Sequence, residues 1–368
     1  MIQFLKRVLS LRTILVFATI LSTASLILAY LSPFVHPNTF SYLPFFGLGY
    51  ILILATAIIC LIFWLILKSK WSLFVLFIIV LGGKLHFRTF ALGSNETVPE
   101  NHLSVMSYNV RLFDLYNKNW NDAISTRNEI FSYIAQRNCD ITCFQEFYHQ
   151  DKPTKFETRD SLIKLLDTHS IHERYAHKNK GRQNFGVTIL SKYPMIERGN
   201  VNFSINENNY NYCIYADIVK NKDTFRIYNV HLQSIKLGKN EHAIFEDLSN
   251  NNNANQSMLL VNKIRKAFPI RANQAEKIIE HIDNSPYPAI VCGDFNDTPM
   301  SYVYNQFSTK LTDVFRNSGK GIGVTYAGKI PAGRIDYIFH SKLLHSSEFN
   351  IQKKELSDHL AVDCKIFK

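Results

Sequence analysis

The run Cys292-Gly293-Asp294-Phe295-Asn296-Asp297-Thr298-Pro299 sets a carboxylate and a carboxamide two positions apart at the end of an apolar stretch. In extended backbone, residues i and i+2 share a face, so Asp294 and Asn296 can address one reacting group together, and Gly293 permits close approach. The same composition also suits an Asp/Asn-rich turn closed by Pro299. Five further segments set chemically useful side chains against apolar runs: Ser107-Tyr108-Asn109-Val110, Cys143-Phe144-Gln145-Glu146, Asn229-Val230-His231-Leu232-Gln233, Arg334-Ile335-Asp336-Tyr337-Ile338-Phe339 and Leu356-Ser357-Asp358-His359-Leu360-Ala361-Val362. Hydrolysis of a phosphate ester calls for such an inventory: groups that neutralise anionic oxygens, a positioned water, and stabilisation of the leaving oxygen.

Taken singly, each segment has a bland alternative. Asn109 at a strand end is an ordinary turn former. Glu146 is a good ligand for a hard cation such as magnesium, and equally an exposed charge where a strand meets solvent. A lone His231 is more often a hydrogen-bonded structural residue than a catalyst. Asp336 and His359 form a candidate pair, because a carboxylate fixes a histidine's tautomer and raises its basicity.

The elements that must carry these residues alternate along residues 103–368. Apolar/polar alternation predicts strands at 103–110, 141–144, 187–190, 212–219, 224–230, 289–292, 335–339 and 360–366. Helical spacing of Ile124, Ile130, Phe131 and Ile134 predicts a helix over 121–137, and Leu259, Ile264, Ile278 and Ile279 predict another over 258–282, kinked or divided at Pro269. The polar tract 249–257 reads as a mobile surface loop. Six scattered cysteines with apolar neighbours read as buried single thiols, and Cys139 with Cys143 lacks the further ligands zinc needs.

Residues 1–90 are of another kind. Apolar runs at 13–31 and 45–67 are long enough to cross a bilayer, and 71–87 is so only if Lys84 snorkels. A signal peptide is the alternative for the first run, but further spans follow it and an uncleaved anchor is expected. Of the formal charge of +11, this region holds seven Lys/Arg and no acid, leaving +4 for the rest. Most of the excess therefore belongs to the anchor, and the modest charge of the domain does not demand DNA. Basic residues before the first run and at Lys68 and Lys70 place the N-terminus inside, and the following domain outside if the third run spans. Residues 91–102 are polar and read as a linker.

With all six motifs in view, residues 104–368 resemble the endonuclease/exonuclease/phosphatase superfamily of nucleases, sphingomyelinases and inositol-polyphosphate phosphatases. The order Asn, Gln-Glu, Asn-x-His-Leu, Gly-Asp-Phe-Asn, Ile-Asp-Tyr and Ser-Asp-His carries the likeness. Gly186 to Ser191 with Pro194, and Arg271 with Gln274, agree with it. The resemblance implies an α/β four-layer sandwich of two mixed β-sheets flanked by helices, and a divalent-metal-dependent hydrolase using Mg2+, with Mn2+ also suited. It implies that Glu146, with Asn109 and Asp358, holds metal, and that Asp294 orients or deprotonates water while Asn296 holds a phosphate oxygen. It implies further that His359, oriented by Asp336, contacts the phosphate, that His231 serves the leaving oxygen, and that Arg271 binds substrate. No acidic partner for His231 stands at a recognisable motif position.

The expected activity is phosphodiester hydrolysis by a membrane-anchored nuclease at a bacterial inner membrane. The alternatives are a lipid phosphodiesterase, a phosphomonoesterase, and an inactive membrane scaffold. The filled metal-ligand and histidine positions speak against the last.

Overall fold

The computed structural model describes residues 2–94, 96–115, 120–152, 154, 156–179, 182–203, 212–235, 254–328 and 333–368. Two compact units emerge, one of Met1–Thr89 with Thr298–Asn305 and one of Phe90–Asp297 with Gln306–Lys368.

The first unit is helical: Ile2–Leu31, Leu43–Leu48, Tyr50–Ile66 and Trp71–Leu81, then a short His86–Thr89. Leu11–Leu31 is long and apolar enough to cross a membrane, while Tyr50–Ile66 is shorter because the run expected at 45–67 is interrupted at Gly49. The third run does not continue straight through Lys84. It bends by 65° between Trp71–Leu81 and Gly83–Thr89, where Gly83 takes a positive φ of 41°. Some polar groups inside this unit find partners within it: the Trp64 indole N–H donates to Thr19 Oγ1 (2.8 Å), and the Thr19 and Thr23 hydroxyls donate to carbonyls of their own helix. Such internal satisfaction is what an apolar surrounding demands, and Leu11, Ile14, Phe17, Leu52, Ile66 and Phe77 turn outward.

The second unit holds two six-stranded sheets. In the first, the order is β13 (His345–Ile351), β14 (Val362–Phe367), β2 (Leu103–Asn109), β3 (Ile141–Gln150), β5 (Gln183–Ser191) and β4 (Ser170–Asn179). In the second, it is β10 (Leu311–Asp313), β12 (Asp336–Ser341), β9 (Ala289–Asp294), β8 (Asp223–His231), β7 (Tyr212–Lys220) and β6 (Met195–Val201). Each sheet is antiparallel except for one parallel pair, β2 with β3 and β8 with β9. A helix precedes the second strand of each parallel pair, Trp120–Arg137 in one case and Ala254–Asp283 in the other, as parallel pairing requires a crossover. Ala91–Leu92 of the expected linker forms a two-residue ladder, β1, with β11 (Lys320–Gly321).

Alternation explains the sandwich. Val105, Cys143, Val187 and Ile189 of one sheet and Ile214, Ile227, Ile290 and Ile338 of the other share one core, each fully buried. All six cysteines are buried and free. The helix expected over 258–282 runs unbroken as Ala254–Asp283 with Pro269 inside it, its neighbours Ala267, Phe268, Ala272 and Ala275 buried. Packing of that face holds the helix where the missing N–H would break an isolated one. Residues 249–253 of the expected loop lie outside the described residues.

A pair of buried amides joins the two sheets. Gln145 Nε2 donates to Asn229 Oδ1 (2.7 Å), and Asn229 Nδ2 donates to the carbonyls of Phe144 and Thr188 (both 2.9 Å). This links β8 of one sheet to β3 and β5 of the other.

Candidate active site

Strand register lines up the first group. In the second sheet His231 is opposite Asp294 across the parallel pair β8–β9, and Asp336 is opposite Asp294 across the antiparallel pair β12–β9. Three functional side chains therefore stand in a row at one end of neighbouring strands. Gly293 lies beside Asp294 because a Cβ there would come 2.0 Å from the Val230 carbonyl oxygen.

The first sheet supplies the rest from its β2 and β3 ends. Asn109 closes β2. On β3 the register shifts between Phe144 and Phe147, and Glu146 takes a φ of 48°. The bulge sends successive side chains different ways: Gln145 is fully buried under the site while Glu146, 36% exposed, faces the cleft. Asp358 and His359 come from the segment before β14, held by a backbone bridge between His359 and Tyr326.

Asp294 is the hub. Its Oδ2 accepts from Asn109 Nδ2 (3.0 Å) and Asn296 Nδ2 (3.1 Å), and its Oδ1 accepts from the Asn296 N–H (2.8 Å). Asn296, at a φ of 53°, also donates to the Leu232 carbonyl. Two imidazoles flank the hub, His231 Nε2 and His359 Nε2 each lying 3.7 Å from Asp294 Oδ2. His231 Nε2 is also 3.8 Å from Glu146 Oε1, and it is a buried nitrogen with no hydrogen-bond partner. The acidic neighbours of His231 are thus Asp294 and Glu146, contributed by strands far apart in sequence.

His359 Nδ1 donates to both oxygens of Asp336, at 3.1 and 3.0 Å. Both residues are buried, and the Asp336 N–H donates to Thr325 Oγ1 (3.1 Å). Burial would pull His359 down, but Asp336 and then Asp294 more than offset it and hold the imidazole well above its ordinary value. Burial pushes Asp336 up to about 6, against the pull of His359. At neutral pH the pair is an imidazolium and a carboxylate. Burial likewise raises Glu146, opposed by His231 and reinforced by Asp358.

Asn109, Glu146, His231, Asp294, Asn296, Asp336, Asp358 and His359 thus converge from both sheets. Arg271 differs in its setting. It is 2% exposed, donates from Nε to the Gln233 carbonyl (2.6 Å) and lies 3.9 Å from Asp297 Oδ2. Gln274 accepts from the Gln233 N–H (2.9 Å), so this pair braces the segments after His231 and Asn296 from beneath. Sequence reasoning missed Arg111, whose Nε lies 3.6 Å from Asp358 Oδ2, and Tyr326, whose ring edge meets His359 at 5.1 Å. Arg111 had a signal in its charge just beyond Asn109, whereas Tyr326 lies in a glycine-rich segment with no periodicity.

Does this arrangement suit a divalent cation? Asp294, Asp336 and His359 offer atoms within 4.8 Å of one another. Both oxygens of Asp336 are engaged with His359, however, so that trio is better suited to holding a charged imidazole. Glu146 and Asp358 remain as carboxylates of the first sheet, beside a buried nitrogen without a partner. Burial raises Glu146 first and the charge of Asp358 adds to it, and a hard cation would relieve both.

Residues 106–359 match the Endonuclease/Exonuclease/phosphatase family, and residues 12–89 match a Domain of unknown function (DUF8431). No match is found among curated proteins. Among solved structures, the endonuclease/exonuclease/phosphatase from Bacteroides vulgatus is similar at a TM-score of 0.54 and 17% identity, covering 73% of this chain and 100% of that one. An endonuclease/exonuclease/phosphatase family protein from Leptotrichia buccalis C-1013-b gives 0.52 and 17%, covering 72% and 100%. D. rerio TDP2 complexed with single strand DNA product gives 0.50 and 17%, covering 73% and 100%. At these identities the likeness is one of fold: two mixed sheets flanked by helices.

Proposed function

We propose, from the premise that this chain belongs to the endonuclease/exonuclease/phosphatase family and is a divalent-metal-dependent hydrolase of phosphate esters, that it cleaves phosphodiester bonds in nucleic acid while anchored to a membrane. The observation that carries the chemistry is the Asp294 carboxylate with one imidazole on either side, each at 3.7 Å. One general base between two potential donors suits in-line displacement, in which a water attacks opposite a departing oxygen.

In this reading Asp294, fixed by three donors, orients and deprotonates the attacking water. Asn296 gives up its bond to the Leu232 carbonyl to hold a phosphate oxygen. His359, kept cationic by Asp336, neutralises charge growing on the phosphate, and His231 offers its unpartnered Nε2 to the leaving oxygen. Glu146 and Asp358, with Asn109, would hold Mg2+ or Mn2+, which supplies charge neutralisation at the phosphate. Arg271 would position the Asp297 segment. Nucleic acid is favoured as substrate by the similarity to a fold seen with single strand DNA product.

The apolar Leu11–Leu31 helix supports anchoring. With Tyr50–Ile66 and the bent pair as further spans, a multi-pass anchor in a bacterial inner membrane with the hydrolase outside is the arrangement we infer. A lipid phosphodiesterase is the second reading, favoured by the same helix, which would hold the site beside head groups.

The test is hydrolysis by the full chain in detergent of duplex DNA, single-stranded RNA, sphingomyelin and a phosphomonoester, with magnesium or with chelator. Metal-dependent cleavage of nucleic acid alone is expected. Cleavage of sphingomyelin alone would replace this reading with the lipid one, and no cleavage by folded, magnesium-loaded protein would favour a scaffold.

A further inference from the structure

Beyond Asn109 the chain makes a left-handed turn. Arg111, Leu112, Phe113 and Asp114 have φ of 43°, 54°, 55° and 58°. L-residues avoid that region because Cβ crowds the following carbonyl, and four in succession without a glycine are held there only by their surroundings. Those surroundings can be named. Phe113 is fully buried, its ring in edge contact with Phe131 (5.9 Å) and Phe147 (5.5 Å), and its N–H donates to the Val110 carbonyl (2.7 Å). The Arg111 N–H donates to Asn109 Oδ1 (3.1 Å), the far end of the carboxamide whose Nδ2 serves Asp294.

The turn brings the Arg111 side chain back over the cleft. Its Nε lies 3.6 Å from Asp358 Oδ2 while the side chain stays 48% exposed. An exposed guanidinium beside a carboxylate expected to hold metal does two things. It competes with a cation for that carboxylate, and it offers N–H groups in the fork geometry that matches a phosphate.

We propose that Arg111 is a substrate-binding residue that grips a non-bridging phosphate oxygen and, before substrate arrives, weakens metal binding by pairing with Asp358. This rests on the phosphodiesterase reading. Substrate draws the guanidinium off Asp358 and frees that carboxylate for the cation, so metal and substrate favour each other's binding.

The test uses the full chain in detergent with Arg111→Gly and Arg111→Lys. Glycine deletes the guanidinium and relaxes the positive φ, so the variant has no strain-based reason to misfold. Mn2+ binding is read without substrate by the paramagnetic signal of the free ion, and steady-state constants are read with bis(p-nitrophenyl) phosphate. Arg111→Gly is expected to bind Mn2+ roughly 3- to 10-fold more tightly, given screening at a half-exposed site. Its KM should rise about 10-fold or more, with kcat changed by less than about threefold. Arg111→Lys should leave Mn2+ affinity near wild type and restore KM only in part, since lysine keeps the charge and loses the fork. Unchanged or weaker Mn2+ binding by Arg111→Gly, or an unchanged KM in an otherwise active protein, would overturn the inference alone. A wild type that binds Mn2+ and turns over no diester would sink the phosphodiesterase reading and the substrate half of the inference with it.

Discussion

Replacing Asp336 by Asn probes the charge on His359 with little change of shape. Asp336 and His359 are 2% and 6% exposed, and both carboxylate oxygens lie near Nδ1. Removing one partner of a buried ion pair costs about 3–5 kcal/mol, because the remaining charge is left uncompensated. Part of this is relieved when His359 gives up its proton, since burial then works against only Asp294 and Asp358. If the reaction needs the imidazolium, about 2–4 kcal/mol should reach the barrier, a fall in kcat of roughly 30- to 1,000-fold. The pH profile adds a sign. In the native protein Asp336 takes up a proton as pH falls through about 6, so activity should decline on that acid side. Asn cannot titrate, and this acid limb should vanish from the residual activity. Stability follows the raised His359: while Asp336 stays ionised, its contribution is present below the ordinary imidazole value of about 6.5 and is lost as pH rises through the higher folded value. In Asp336→Asn that loss should begin at lower pH. The assay is kcat against pH with a chromogenic phosphodiester, beside thermal melts over the same range. A variant within about threefold of wild type, with the acid limb intact, would refute the reasoning.

Other outcomes follow from the same geometry. Asp294→Asn would turn an amide N–H2 toward donors at Asn109 and Asn296, so turnover should fall by about a thousandfold or more while circular dichroism stays native. Gly293→Ala would drive a Cβ to 2.0 Å from the Val230 oxygen, and the protein should fail to accumulate in folded form, as read by expression and limited proteolysis. Mg2+ should raise the melting temperature of wild type, and Glu146→Ala should abolish that rise, by calorimetry. Ile290→Ala, at a fully buried position between the sheets, should cost about 2–5 kcal/mol in denaturant unfolding without altering the substrate preference.

What the amino-acid order reveals, and what it hides, has a physical pattern. All eight strands expected from alternation are present and lie inside the sheets, where both neighbours and the core demand apolar side chains. Of the six described strands that escaped, β4, β6, β10 and β13 are the edges of the two six-stranded sheets, while β1 and β11 pair with each other as a two-residue ladder. Edge strands such as Ser-Ile-His-Glu-Arg-Tyr-Ala-His-Lys-Asn carry polar and charged residues that discourage further pairing, which erases the periodic signal. The site shows the same division. Strand-end positions of Asn109 and Asp294 could be read from the apolar run before each, and that of Asp336 from the run after it. The bulge that turns Glu146 into the cleft, and the acidic surroundings of His231, depend on strands distant in sequence. Arg271, expected at the substrate, is buried and donates from Nε to the Gln233 carbonyl, a setting that depends on a helix and a loop distant in sequence.

The amide pair Gln145–Asn229 bears on how such a site tolerates change. Half of the reactive groups ride on one sheet and half on the other, so a slide of the two layers by a fraction of a side chain would separate Glu146 from His231 without disturbing either hydrophobic face. Oily contacts are indifferent to such sliding, whereas directional bonds of 2.7 and 2.9 Å are not. The two amides therefore act as a dowel between the layers, setting alignment where the core sets only adhesion. Drift in the surrounding aliphatic residues can accumulate as long as the dowel stays in its hole, and losing it would leave alignment to the bonds of the site itself, Asn109 to Asp294 and His359 to Asp336.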